Sequence, residues 1–242
     1  MSAVPPRVYA VVLARRGSRS ILRKNLETVG GQPLVLRAVE QAFRIAQIDE
    51  VVVSTDDREV LSLVASLVAE SGALLVDRPA YLATDDARSA PAALHALTAV
   101  GAAADDVAVL LQPTSPLRSD EDVIQVIEGL DGHGSSIAAR ETGTHPFKAL
   151  IETADGYRPV RHLVDLESPR QELPPALVPN GAAYAIRFAD LAASGSFLVQ
   201  PMNLWVMPQE RSLDIDTPAD LARARQVIEQ EGVSPGRENV GG

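Results

Sequence analysis

Short apolar runs rich in β-branched residues alternate with stretches of helical periodicity through the first half of the chain, and that alternation constrains the fold more than any other feature. Val8 to Ala14 (VYAVVLA) is continuously apolar and stops at a basic, glycine-containing segment, the pattern of a buried parallel strand entering a loop. Pro33 to Ala46 carries apolar residues at helical spacing, Glu50 to Thr55 (EVVVST) reads as a strand, and Glu59 to Glu70 as a second amphipathic helix ended by Gly72. Ala73 to Val76, Ala90 to Val100 and Val107 to Leu111 continue the series as strand, helix and strand. Such a series predicts a mostly parallel sheet with helices on both faces, a three-layer α/β architecture.

Two helix starts are marked by local chemistry. Ser119 precedes the acidic turn Asp120, Glu121, Asp122, and Thr217 precedes Pro218 at a first helical position. Between about Thr142 and Pro179 the rhythm breaks into a charged, proline-bearing stretch that reads as an insertion. Strands are expected again at Ala182 to Ile186 and Asn203 to Val206, then a last helix from Pro218 to about Glu231. The reading is one domain over 6–231 with a flexible tail over 232–242.

The chain has no cysteine, which removes disulfides, thiolate metal sites and thiol nucleophiles. A formal net charge of −10 argues against a general nucleic-acid binder. The first residues have neither the length of a membrane span nor the layout of a signal peptide, so a cytoplasmic protein is expected. The four histidines show no zinc-binding spacing.

In open α/β sheets, ligands bind beyond the carboxyl ends of the strands. After the first strand comes ARRGSRSILRKN, where Gly17 permits close backbone approach, Ser18 and Ser20 add donors, and Arg15, Arg16, Arg19, Arg23 and Lys24 supply charge for a triphosphate. A solvated basic loop is the alternative. After Leu111 comes QPTSPLR, which presents Gln112, Thr114, Ser115 and Arg118 or is a simple proline-bounded turn. Asp214 and Asp216 point to one side of an extended segment and suit magnesium, although acidic residues before a helix start are also favourable electrostatically.

Taken in order, LARRGSRSILRKN, VSTDD, DRPAYLATD, LLQPTSPLR, HPFK, RHLVDLESPRQELP, PNGAAY and DIDTPADL resemble the bacterial CMP-N-acylneuraminate synthetases over about residues 8 to 225. The resemblance implies a Rossmann-like nucleotidyltransferase fold and a homodimer, with 142–200 as the dimerisation insertion. It implies that Arg15, Gly17, Ser18, Arg19, Lys24 and Asn25 contact CTP, with Arg78, Ala87 and Ser89 around its base and ribose. Gln112, Lys148, Arg170 and Tyr184 match acyl-sugar positions, with Arg170 or Lys148 for the acceptor carboxylate. Asp214 and Asp216 match the magnesium carboxylates, and Phe197 would line the partner's sugar site. In the first loop the family usually reads RxGSKG, whereas this chain has Arg19 and Ser20. Arginine exchanges a point charge for a planar fork, and serine strains the backbone if that position needs a positive φ. The implied reaction is CMP transfer from CTP to the anomeric hydroxyl of a nonulosonic acid sugar, with release of pyrophosphate; Arg15, Lys24, Asp214 and Asp216 are the implied catalytic set. The alternatives are a different acceptor, such as a phosphonate or a shorter keto-sugar acid, and a non-catalytic nucleotide-binding homologue.

Overall fold

The structure, a computed structural model, describes residues 5–232. The first strand, β1 (Val8–Leu13), lies in the middle of a seven-stranded sheet. A small hairpin of β2 (Thr28–Val29) and β3 (Gln32–Pro33) leads into α1 (Leu34–Arg44), β4 (Glu50–Thr55), α2 (Arg58–Ser71), β5 (Leu74–Asp77), α3 (Ser89–Ala99) and β6 (Val107–Leu111). Strands β1, β4, β5 and β6 are parallel, as the alternation predicts. Gly72 follows α2 with φ 84°, the left-handed geometry of a helix stop.

Beyond β6 come α4 (Asp120–Glu128) and β7 (Ser135–Glu141), then an excursion, then β10 (Leu177–Arg187), α6 (Phe188–Ser194), β11 (Met202–Val206) and α7 (Pro218–Gly232). The sheet order is β11-β7-β10-β6-β1-β4-β5, and β10 is the one strand that runs against its neighbours β6 and β7. The final helix includes Gly232, the first residue of the expected tail, and the rest of that expected tail, 233–242, lies outside the described residues.

Strand alternation divides the core between the two faces. Ala10 and Val12 of β1 pack with Val35 and Val39 of α1 and Val123 and Val126 of α4. Tyr9 and Val11 face the other way, onto Ala93 and Leu97 of α3 and Leu191 of α6. Fully burying each such valine or leucine contributes about 1.5–3 kcal/mol, which fixes the sheet as the rigid base from which the site loops emerge. A smaller cluster joins Ile21, Val29, Leu34, Ile215, Leu221 and Ala224. It ties the first loop and α7 together, with Ile215 buried between the two site aspartates.

The expected insertion over 142–200 is shorter in the structure. Leu177–Arg187 belongs to the central sheet, and α6 packs on it and on α3, so the excursion covers 142–176. It holds a hairpin of β8 (Leu150–Thr153) and β9 (Gly156–Pro159), then α5 (Leu163–Glu167). The reason is register. β10 bulges between Pro179 and Tyr184, and its loop-like proline, asparagine and glycine conceal a continuous strand.

Candidate active site

The loop after β1 is fastened at several points to the loop after β4. Ala14 N donates to Ser54 O (3.0 Å), and the Thr55 hydroxyl donates to the Ala14 carbonyl. Asp56 accepts from Arg16 N (2.7 Å), which gives the VSTDD motif a structural role. Arg23 has φ 55° and is the single non-glycine residue with positive φ among the described residues. Its guanidinium meets Asp57 at 3.1 Å and Glu59 at 2.6 Å, contacts that hold the strained turn. Ser20 has no positive φ, so serine at that departure from the family pattern costs no backbone strain.

Lys24 Nζ donates to Ile215 O (2.7 Å) and approaches Asp216 Oδ1 (3.2 Å), joining the basic loop to the acidic segment 191 residues away. Asn25 Nδ2 donates to Arg15 O (2.9 Å) and fixes the other end of the loop. The loop lines a cavity of about 350 Å³ with Arg15, Gly17, Ser18, Arg19, Lys24 and Asn25. Arg78, Ala87, Ser89, Gln112 and Asp216 line the same cavity. All nine positions expected around the nucleotide therefore share one cavity. A Cβ on Gly17 would meet nothing nearer than 3.9 Å, so packing within the chain does not require glycine there.

Arg78 is 5% exposed, and its guanidinium holds Ser54 O (2.6 Å) and Ser54 Oγ (3.1 Å). Burial draws its pKa down to about 10, with Arg15 adding to the fall and Asp56 opposing it; the group stays cationic at neutral pH. Two further loop arginines already have partners. Arg15 Nη1 donates to Thr84 O (2.9 Å) and Asp85 Oδ1 (2.7 Å), and Arg19 pairs with Asp85 (3.1 Å) and Asp86 (3.0 Å). These hydrogen bonds hold the Asp85 carboxyl below the usual carboxylate range. The pairs are exposed and hence weak, so a triphosphate can compete for the arginines.

A second cavity, of about 530 Å³, adjoins the first and shares Gln112 and Asp216 with it. Its wall includes Tyr184, Asp214, Arg140 and the β10 bulge. The bulge is fixed by Asn180, buried, whose Nδ2 donates to Ser212 Oγ (3.1 Å) and whose Oδ1 accepts from Ala182 N (3.1 Å). Buried Arg118, from QPTSPLR, reaches Gln112 O (3.1 Å) and Ala182 O (2.6 Å), locking that turn to the bulge. Ile215 N donates to Thr114 O (2.8 Å), so the same turn also holds the acidic segment.

Asp214 Oδ1 is buried without a hydrogen-bond partner. Burial raises its pKa and Asp216 adds to the rise, while the Thr114 side chain and Lys24 oppose it. A buried carboxylate oxygen with no donor, beside a second carboxylate, suits a small hard cation. Among the described residues no three acidic or histidine side chains form a closed metal cage. The pair therefore fits an ion that takes one or two carboxylates and completes its shell with phosphate oxygens and water, the habit of magnesium.

Within one chain Arg170 and Lys148 lie apart from the second cavity, and Phe197 lies beside it. Arg170 donates to Thr142 O (2.7 Å) and Gly143 O (3.1 Å) and lines a separate cavity beside His145. Lys148 Nζ points to Leu166 O (3.5 Å) within the excursion. Phe197, expected to serve a partner's site, is 6% exposed and packs 6.0 Å from the Tyr184 ring of its own chain. It is held there because the segment after α6 folds back onto the α3 face. Phe197 and Tyr184 line a small cavity of about 200 Å³ with Gln112 and Arg88. Sequence reasoning missed Arg88, Arg140 and Gly181. The glycine had a signal, since PNGAAY places it beside a polar residue, whereas the arginines had none.

A cytidylyltransferase family model matches residues 9–161. The chain is 28% identical over 214 residues to the N-acylneuraminate cytidylyltransferase of Streptococcus agalactiae serotype V, covering 87% of this chain and 50% of that protein. It thus spans about half the length of that relative. The CMP-N,N'-diacetyllegionaminic acid synthase of Legionella pneumophila is 27% identical over 226 residues, covering 92% of this chain and 97% of that one. Among solved structures, a CMP:2-keto-3-deoxy-manno-octonic acid synthetase complexed with CTP superposes with a TM-score of 0.69 at 19% identity, covering 93% of this chain and 99% of the other. With more than half of its length matched, the chain belongs to the cytidylyltransferase family.

Proposed function

We propose that this chain transfers CMP from CTP to the anomeric hydroxyl of a sialic acid or related nonulosonate and releases pyrophosphate. The observation that carries the reading is the wall shared by the two cavities. Gln112 and Asp216 border both, so a triphosphate in the first can present its α-phosphate to an acceptor in the second. The relatives named for N-acylneuraminate and diacetyllegionaminic acid support a nine-carbon acid as that acceptor.

In the proposed step the acceptor oxygen forms a bond to the α-phosphorus, the bond from that phosphorus to the oxygen bridging the β-phosphate breaks, and the hydroxyl proton passes to solvent. Arg15, Arg19 and Lys24 offset the charge that accumulates on the departing pyrophosphate. For Arg15 and Arg19 this means exchanging Asp85 and Asp86 for phosphate oxygens. Asp214 and Asp216 would hold magnesium, which when bound neutralises phosphate charge at the shared wall. Gln112 and Tyr184 orient the acceptor, and Ser89 and Ala87 shape the nucleoside end.

The excursion supports a homodimer. Leu150, Tyr157, Leu163 and Val164 are 55%, 72%, 72% and 67% exposed, more apolar surface than a short arm keeps in water without a partner.

The test is a matrix of the four nucleoside triphosphates against nonulosonic, shorter keto-sugar and phosphonate acceptors, read as magnesium-dependent pyrophosphate release. The reading expects release with CTP and a nonulosonate. Equal release with UTP, or release only with another acceptor class, contradicts it. CTP binding without turnover on any acceptor indicates a non-catalytic homologue.

A further inference from the structure

We infer that Arg23 is a positioning residue for the nucleotide, an inference that rests on the proposed placement of CTP in the first cavity: its ion pairs hold a left-handed backbone that delivers Lys24 and Asn25 to that cavity. The sequence offers Arg23 as one more charge for a triphosphate. In the fold its guanidinium is engaged at the start of α2 instead. Nη2 donates to both oxygens of Asp57 (3.1 Å each), and Nη1 meets Glu59 Oε2 at 2.6 Å. The next two residues, Lys24 and Asn25, line the nucleotide cavity.

Arg23 has φ 55° and ψ 39°, a conformation that is costly for a residue with a Cβ and free for glycine. Its carbonyl accepts from Leu26 N (2.9 Å), which opens the short 3-10 turn Lys24–Leu26. From that turn Lys24 Nζ reaches Ile215 O and Asp216, and Asn25 Nδ2 reaches back to Arg15 O. A change of φ at Arg23 therefore swings both side chains away from the cavity together.

The anchor for these pairs belongs to the core. Asp57 is 4% exposed; its Oδ1 also accepts from Glu59 N (2.9 Å), and its own N–H donates to Thr55 Oγ1 (3.0 Å). The same short segment holds the other end of the loop, through Ser54 and Thr55 on Ala14 and Asp56 on Arg16. The loop is thus an arch with both feet where β4 passes into α2. A residue with a Cβ keeps a left-handed backbone only where its surroundings over-determine it. Without the Asp57 and Glu59 pairs, the free loop relaxes to negative φ, and CTP must restore the costly conformation as it binds.

The experiment is calorimetric titration of CTP with magnesium into the unaltered chain, Arg23→Ala, Arg23→Gly and Arg23→Lys, at a temperature where circular dichroism shows every variant folded. Arg23→Ala should raise the Kd for CTP about 5- to 30-fold, the factor set by the cost of this backbone at a residue with a Cβ. Arg23→Gly loses the same ion pairs but takes the backbone freely, so its Kd should return to within about 3-fold of the unaltered chain. In pyrophosphate release the KM for CTP should follow the Kd, with the acceptor KM unchanged. A merely structural role would weaken Arg23→Gly as much as Arg23→Ala. Equal weakening of those two, with recovery in Arg23→Lys, would mean that the charge acts on the phosphates directly and overturns the inference. A Kd in Arg23→Ala within a factor of about two of the unaltered chain overturns it as well. The alanine and glycine pattern without turnover of any nonulosonate sustains the inference and removes the proposed acceptor. No CTP binding by the unaltered chain removes both.

Discussion

Gly181 is pressed against Asp214: a Cβ added to the glycine would lie 3.2 Å from Asp214 Oδ2 and 2.9 Å from Gln112 Oε1. The residue also has φ 81°, which L side chains rarely adopt. Gly181→Ala should therefore displace Gln112, which borders both cavities, and Asp214, which lines the second. It is expected to lower kcat about 100-fold, the scale of an ångström of misplacement at a reacting centre. Steady-state rates with CTP saturating check this, and activity within a factor of about two of the unaltered chain would show that the contact does not matter.

Asp86 is 90% exposed and holds Arg19, in the loop proposed to bind the triphosphate, at 3.0 Å. Replacing it with asparagine removes a competitor for the triphosphate. Asp86→Asn should lower the KM for CTP about 2- to 5-fold at low ionic strength, and the difference should vanish near about 0.5 M salt. A higher KM at every salt concentration would mean that Asp86 positions the arginine productively.

Asp122 ties the far side of the site together. Its carboxylate caps α4 and accepts from Trp205 Nε1 (2.9 Å), Arg211 Nη2 (2.8 Å) and Arg211 Nε (3.0 Å). Arg211 adjoins Ser212, which holds Asn180 and hence the bulge. Burial pushes the Asp122 carboxyl up, but Arg211, Trp205 and Ser119 outweigh it and the pKa falls to about 2 from 3.8. A lowered folded-state pKa means stability that is complete above the unfolded value and is lost as pH falls from about 4 through about 2, worth about 2 kcal/mol. Asp122→Asn should destabilise the protein at neutral pH by about 2–4 kcal/mol and flatten the acid limb of its stability profile. Trp205 is the only tryptophan, so its fluorescence during urea unfolding at several pH values reads this bond directly. An unaltered acid limb in the variant would reject the assignment.

Leu163 and Val164 open α5 with most of their surface in water. Leu163→Asp with Val164→Asp should convert the proposed dimer to a monomer, seen by sedimentation velocity, with an unchanged far-ultraviolet circular dichroism spectrum. A monomer in the unaltered chain at micromolar concentration would remove the dimer proposal.

How much of this could be read from residues alone depended on whether local chemistry or long-range pairing sets each feature. The strands β1, β4 and β6 were legible because valine-rich runs buried on both faces have no other soluble use. Ser119 and Thr217 were legible because a cap is a local bond, and both make one: Ser119 with Asp122, Thr217 with Asp220. The strand β7 was not legible, since SSIAARE is mostly small residues whose burial is imposed by β10 and β11 on either side. The site was read in halves. Arg15, Lys24, Asn25 and Arg78, which line one cavity, were singled out by charge and motif, but no spacing reveals that Arg15 is held by Asp85 or that Arg140 lines the Asp214 cavity. The contact of Phe197 with Tyr184 of its own chain was not legible, because that fold-back is set by tertiary packing.

The central claim is that a CMP group passes to an unphosphorylated hydroxyl across the wall made by Gln112 and Asp216. Phosphorus magnetic resonance of a reaction containing CTP, magnesium and a nonulosonate tests it most directly. The account predicts one new phosphodiester resonance, from CMP joined to the sugar, growing in step with pyrophosphate and absent with Asp216→Ala. A product carrying a diphosphate link to cytidine, or loss of CTP with no phosphodiester signal, would contradict it.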